Sequence, residues 1–129
     1  MKNSLKAIIL GTAIALTSCS PSIYDYNGKI GNELIDSLET YGFPDTLTLK
    51  VTKEDGRIIS YYDWGVNRKI DSVTVTKDGR SQTFKEKDII GAEAFKLAQQ
   101  QFTDYLAKVL EIKKEILEAK KKQALEDIK

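Results

Sequence analysis

From Asp88 to the last residue, Lys129, the chain carries no proline and a single glycine, Gly91. Its apolar residues there recur at threes and fours: Ile90, Ala94, Leu97, Ala98, Phe102, Tyr105, Leu106, Val109, Leu110, Ile112, Ile116 and Leu117. That is the spacing of one helix face. Asp104–Lys108 and Glu118–Lys122 add charge pairs one turn apart, each a modest support for a helix. The spacing predicts one helix of about forty residues, roughly 60 Å long at 1.5 Å per residue.

A helix of that length limits what the rest of the chain can be. Thr46 to Thr52 alternates, with Leu47, Leu49 and Val51 on one side and Thr48, Lys50 and Thr52 on the other, the period of a half-buried strand. Glu54-Asp55-Gly56 reads as a turn, and Arg57 to Trp64 as the return strand of a hairpin. Ile70 to Thr76 reads as a third strand, Lys77-Asp78-Gly79 as a second turn, and Arg80 to Phe84 as a weaker fourth strand. One apolar and one polar face mark an antiparallel meander covered on one side. Ahead of these strands, Asn32 to Tyr41 is expected to form a short helix. Asn32 suits its N-cap, Ile30, Leu34, Leu38 and Tyr41 would form a core stripe widened by Ile35, and Gly42 and Pro44 would end it.

The expected fold is therefore α+β: a short helix, an antiparallel meander of three to four strands, and a long C-terminal helix. Four short strands span only about 20 Å, so the helix is expected to project beyond about Val109. Phe95, Phe102, Val109 and Ile116 recur at sevens, as do Ala98, Tyr105, Ile112 and Ala119. A projecting helix with that seam would expose apolar surface, so the expectation is self-association or a protein partner through the C-terminal helix, the alternatives being a helix that folds back on the domain or a surface helix with a frayed, Lys-rich end. Val109, Ile112 and Ile116 are candidate contact residues. So are Tyr62 and Trp64, which share one face of the return strand while Tyr61 takes the other.

The amino end carries a different signal. Lys2 and Lys6 precede an uncharged apolar run, Ala7 to Leu16, too short for the roughly 20 residues a membrane-spanning helix needs. Leu16-Thr17-Ser18-Cys19 follows, and Cys19 is the single cysteine. This resembles the lipobox of bacterial lipoproteins. The resemblance implies a diacylglyceryl thioether on Cys19, removal of residues 1–18, and acylation of the new amino end. More than one acyl chain holds a protein firmly to a bilayer. Ser20, rather than Asp, follows the cysteine, which in the Gram-negative sorting rule implies the outer membrane, facing the periplasm. Residues 19–31, rich in Ser, Gly and Asn, read as a lipid-anchored tether. The remaining divisions are a helix-plus-sheet domain over 32–88 and the amphipathic helix over 89–129.

The segment from Lys29 to Gly79 resembles the small outer-membrane lipoproteins of the SmpA/OmlA type, the accessory lipoprotein of the β-barrel assembly machinery. The residues that carry the likeness are Ile30-Gly31 opening a short helix, Gly42-Phe43-Pro44-Asp45, the aromatics Tyr61, Tyr62 and Trp64 of a strand pair, and a Val-x-Val strand running into Asp78-Gly79. The resemblance implies a compact helix-plus-antiparallel-sheet module that binds protein or lipid and has no catalytic centre. The family has two helices before three strands and lacks so long a C-terminal helix.

Composition narrows the chemistry. There is no histidine, which removes the usual general base, the usual zinc ligand and any Ser-His or Cys-His nucleophile. A lipidated Cys19 would leave no free thiol. The charges nearly cancel at +1, and become −1 once Lys2 and Lys6 are removed, so no nucleic-acid partner is expected. The carboxylates fall in turns such as Glu54-Asp55 and Lys77-Asp78, where polar residues are common. They lack D-x-D-x-D spacing for calcium, and no glycine-rich phosphate loop occurs. No catalytic residue, metal or cofactor is expected. The predicted function is a membrane-anchored, non-enzymatic interaction module of the cell envelope, with an envelope spacer bound to peptidoglycan or a small ligand-binding lipoprotein as alternatives.

Overall fold

A computed structural model describes residues 22–129. The lipobox, Cys19 and the residues before them lie outside the described part. Six strands run in chain order across one antiparallel sheet: β1 (Tyr26–Ile30), β2 (Glu33–Thr40), β3 (Thr46–Thr52), β4 (Ile58–Trp64), β5 (Ser72–Lys77) and β6 (Arg80–Phe84). A single helix, α1 (Ala92–Ile128), follows. The α+β class and the long C-terminal helix are as expected; the strand number is six, not three to four.

Both additional strands come from the segment read as tether and short helix. Residues 33–40 form β2, not a helix. Leu34, Leu38 and Tyr41, expected to be core, are exposed at 49%, 54% and 65%, whereas Ile35 is buried at 1%. The helical spacing of the leucines competes with an alternation of Ile35 and Ser37 against Leu34, Asp36 and Leu38. The sheet decides between them, because β2 is flanked on both sides. It pairs with β3 from Leu34↔Thr52 to Thr40↔Thr46, and with β1 from Tyr26↔Ser37 to Ile30↔Glu33. A central strand satisfies its backbone donors and acceptors on both edges, and such tertiary pairing overrides a weak local helix preference.

The turns show why the register is fixed. Gly31 adopts φ 62° between Ile30 and Glu33. Gly31-Asn32 is thus a two-residue hairpin turn with glycine first, the form whose twist matches its strands. Asp78 (φ 53°) and Gly79 (φ 75°) make the equivalent turn between Lys77 and Arg80. The Phe43–Pro44 peptide between β2 and β3 is cis. In β1 the Tyr26 hydroxyl donates to the Lys29 carbonyl at 3.3 Å, and a Cβ on Gly28 would meet that hydroxyl at 2.7 Å, so glycine is what lets the ring lie along the edge strand.

The core lies between one sheet face and α1. Ile35, Leu47, Leu49, Val51, Ile59, Tyr61 and Val73 from the strands meet Phe95, Ala98, Phe102, Tyr105, Leu106 and Val109 from the helix. The helix crosses the sheet obliquely. Its start touches β5 and β6, and Gly91, just before it, packs on Phe84. Tyr105 reaches Glu33 and Lys53. Past that point Lys113 is near enough to Asp25, ahead of β1, for their charges to interact. Val109 is the last buried helix residue. The helix nevertheless runs on to Ile128, giving about 55 Å in all.

Candidate functional site

The sheet face turned away from α1 carries the first group of candidates. Alternation on β4 puts Tyr61 in the core and Tyr62 and Trp64 on the open face, where Trp64 is 55% exposed. The Tyr61 hydroxyl donates to the Gln101 side chain at 3.0 Å. Its ring lies 6.0 Å from Phe102 and 6.1 Å from Tyr105, in the tilted geometry aromatic pairs prefer. Burial raises its pKa, with Tyr105 and Glu33 adding to the effect.

Trp64 is held by the loop that follows it. Its amide donates to the Asp71 carboxylate at 2.6 Å, and the Asp71 amide donates to the Tyr62 carbonyl at 2.7 Å. Behind it, the fully buried Asp63 accepts from the amides of Asn67 (3.2 Å) and Arg68 (2.8 Å). Those bonds support left-handed backbone at Val66 (φ 50°) and Arg68 (φ 68°), which costs about 1–3 kcal/mol per residue unless its surroundings enforce it. Burial pushes the Asp63 pKa up, partly offset by the two amides. The helix closes the loop from the other side: Gln99 accepts from the Ile70 amide at 2.8 Å and donates to the Arg68 carbonyl at 3.0 Å. The loop is tied to the β2–β3 connection by the Gly65 amide donating to the Asp45 carbonyl at 2.7 Å.

Across the open face run hydroxyls. Thr46 pairs with Trp64, Thr48 with Tyr62, and Lys50 with Ser60. Thr74 and Thr83 share a hydrogen bond of 2.8 Å, as do Thr76 and Ser81. Asp36 and Lys50 stand opposite each other on adjacent strands. The face is nearly neutral, with its aromatics gathered at one end.

The distal helix is the second candidate. Val109, expected as a contact residue, is fully buried against the sheet and is core. Ile112 and Ile116 are half-buried. The first part of the heptad seam, Phe95, Ala98, Phe102, Tyr105 and Val109, is spent inside the domain. The large apolar residues exposed along the distal half are Leu117, Leu125 and Ile128. Leu125 and Ile128 were not singled out from sequence, because they fall outside the seam that the buried half defines.

One polar cluster was not legible at all. The Lys53 ammonium donates to Tyr105 at 2.9 Å and lies 2.7 Å from Glu33, and the Tyr105 hydroxyl donates to the other Glu33 oxygen at 2.6 Å. Burial disfavours the Glu33 carboxylate, but the bonds from Lys53 and Tyr105 outweigh it and hold its pKa below the usual value. Burial likewise opposes the Lys53 charge, and its bonds to Glu33 and Tyr105 outweigh that, raising its pKa. Burial and the Glu33 bond raise that of Tyr105. The groups thus occupy one another, with lysine protonated and carboxylate ionised, and they lock α1 to the start of β2 and the end of β3. Among the described residues no group of three or more Asp, Glu, His or Cys side chains could hold a metal, and no helix is long and apolar enough to cross a membrane.

No protein-family model, no curated protein and no solved structure matches this chain. The stretch that the SmpA/OmlA resemblance would make helical is the strand β2.

Proposed function

We propose that the chain is a lipid-anchored envelope protein whose sheet domain presents the distal half of α1 as a contact arm for a protein partner or a second copy, with no chemistry of its own. The observation that carries this reading is the end of the core at Val109 while the helix continues to Ile128 with Leu117, Leu125 and Ile128 exposed. Beyond Val109 the helix buries no further residue and only Leu110 packs on the core, and isolated helical segments of that size are marginal in water. Docking their apolar side against another surface supplies the missing stabilisation. The lipobox supports the anchoring part, and the mutual bonding of Glu33, Lys53 and Tyr105 supports a structural role for that cluster.

Crosslinking in the native envelope tests the reading. The intact chain should give a specific crosslinked species, and deletion of residues 110–129 should abolish it while the protein keeps its sheet signal in circular dichroism. An intact chain that is monomeric and partnerless in the envelope contradicts it. Recovery of the tail covalently joined to peptidoglycan would favour the spacer reading instead.

A further inference from the structure

We infer that the end of the sheet where the chain enters β1 faces the protein's own lipid layer, with Tyr41, Phe43 and Trp64 seated among the headgroups. The inference rests on the acylated Cys19 of the proposed function and adds an orientation and a second point of membrane contact.

Topology brings the parts together. In an antiparallel meander the segment before β1, the β2–β3 connection (41–45) and the β4–β5 connection (65–71) all lie at one end of the sheet. The last two are bonded to each other through Gly65 and Asp45, and Thr46 pairs with Trp64. This end carries Tyr41, a fully exposed Phe43, and Trp64, with a half-exposed Ile23 beside the entering chain. Large apolar side chains gathered on adjoining loops are unusual on a water-facing surface. Tyrosine and tryptophan in particular favour the boundary between apolar and aqueous phases.

The described chain begins at the same end and is tied down there. Ser22 is bonded to the domain: its hydroxyl donates to the Glu39 carboxylate, its amide donates to Asp25 at 3.3 Å, and it accepts from the Tyr24 amide at 3.0 Å. Asp25 in turn accepts from the Glu39 amide at 2.9 Å, next to the β2–β3 connection. Cys19 precedes Ser22 by three residues, which reach about 10 Å at full extension. That is comparable with the headgroup layer, about 5–7 Å thick on each side of the hydrocarbon. A lipid on Cys19 therefore places this end of the sheet against the bilayer surface.

The charges suit an anionic headgroup layer. Arg68 and Lys69 are exposed in the loop next to Trp64. Of the neighbouring carboxylates Asp63 is buried, while the half-exposed Asp45 and the exposed Asp71 accept backbone amides, Asp45 from Gly42 at 2.8 Å and Asp71 from Trp64 at 2.6 Å. Basic side chains at the surface of an anionic membrane are attracted to it.

Trp64 is the single tryptophan and reports the contact directly. The full acylated chain is reconstituted in phosphatidylglycerol vesicles with or without bromine on the acyl chains, and Cys19 acylation is verified by mass on the same sample. Bromolipid should quench Trp64 several-fold, and the vesicles should shield it from aqueous iodide. Tyr41→Asp with Phe43→Asp should restore iodide access while the protein stays on the vesicles, and Leu125→Asp on the distal helix should change neither. Acylated, vesicle-bound wild-type protein whose Trp64 is unquenched and open to iodide overturns the inference and leaves the anchor intact. An unmodified Cys19 removes the anchoring reading and this inference with it.

Discussion

The hydroxyl of Tyr105 donates to the Glu33 carboxylate at 2.6 Å, joining the middle of α1 to the first residue of β2 across 72 residues of chain. With Lys53 on the same carboxylate at 2.7 Å, this contact fixes where the helix crosses the sheet and hence the direction in which its distal half leaves the domain.

Tyr105→Phe keeps the ring against Tyr61 and removes the donor. A hydrogen bond to a charged group is worth about 1.5–3 kcal/mol, less where solvent reaches it. The expected loss is about 1–2 kcal/mol, read from the urea midpoint at unchanged slope. Glu54→Gln in the β3–β4 turn, which touches none of these groups, should stay within about 0.5 kcal/mol of the parent.

The same cluster sets a pH dependence. Glu33 has a folded-state pKa below its unfolded value, so the unfolded chain binds more protons as the medium is acidified. Its stabilisation is full above the unfolded pKa and is lost as the pH falls through the folded one. Lys53 is shifted upward, so its contribution is full below the unfolded lysine pKa and is lost as the pH rises through the raised folded value. Urea midpoints measured against pH should show both losses, and Glu33→Gln should flatten the acid limb.

The β2 assignment has its own test, because the helix and strand readings bury different side chains. Ile35→Ala should cost about 2–5 kcal/mol, as truncation of a fully buried aliphatic residue does. Leu38→Ala, at an exposed position, should cost less than about 1 kcal/mol. Equal and large losses at both positions would restore the helical reading.

How much of this was legible follows from the range of the interactions involved. Strand β3 alternates cleanly, β4 and β5 carry inward apolar residues, β6 is the weaker signal, and the turns Glu54-Asp55-Gly56 and Asp78-Gly79 are local chemistry. The continuous stripe of α1 is local too. The β1–β2 hairpin carried a local sign as well, Gly31-Asn32 between Ile30 and Glu33, but Asn32 serves equally as a helix cap, and Leu34 and Leu38 fall at helical spacing. Only pairing with Tyr26–Ile30 on one side and Thr46–Thr52 on the other resolves that ambiguity. Val109 shows the same limit at the candidate surface. Its place in a heptad seam made it a contact residue, yet the seam up to that point is the face that covers the sheet. The Tyr105–Lys53–Glu33 cluster joins residues 52 and 72 positions apart, a separation at which periodicity carries no information. The exposure of Phe43 and Trp64 at one sheet end follows from strand order, which became definite only with six strands.

Whether the domain is held to a membrane through Cys19 is decided by mass spectrometry of the amino-terminal peptide from native material. The expected chain begins at Cys19 and is heavier by a diacylglyceryl group and an amide-linked acyl chain. A free thiol at Cys19 in a chain that still begins at Met1 would contradict it.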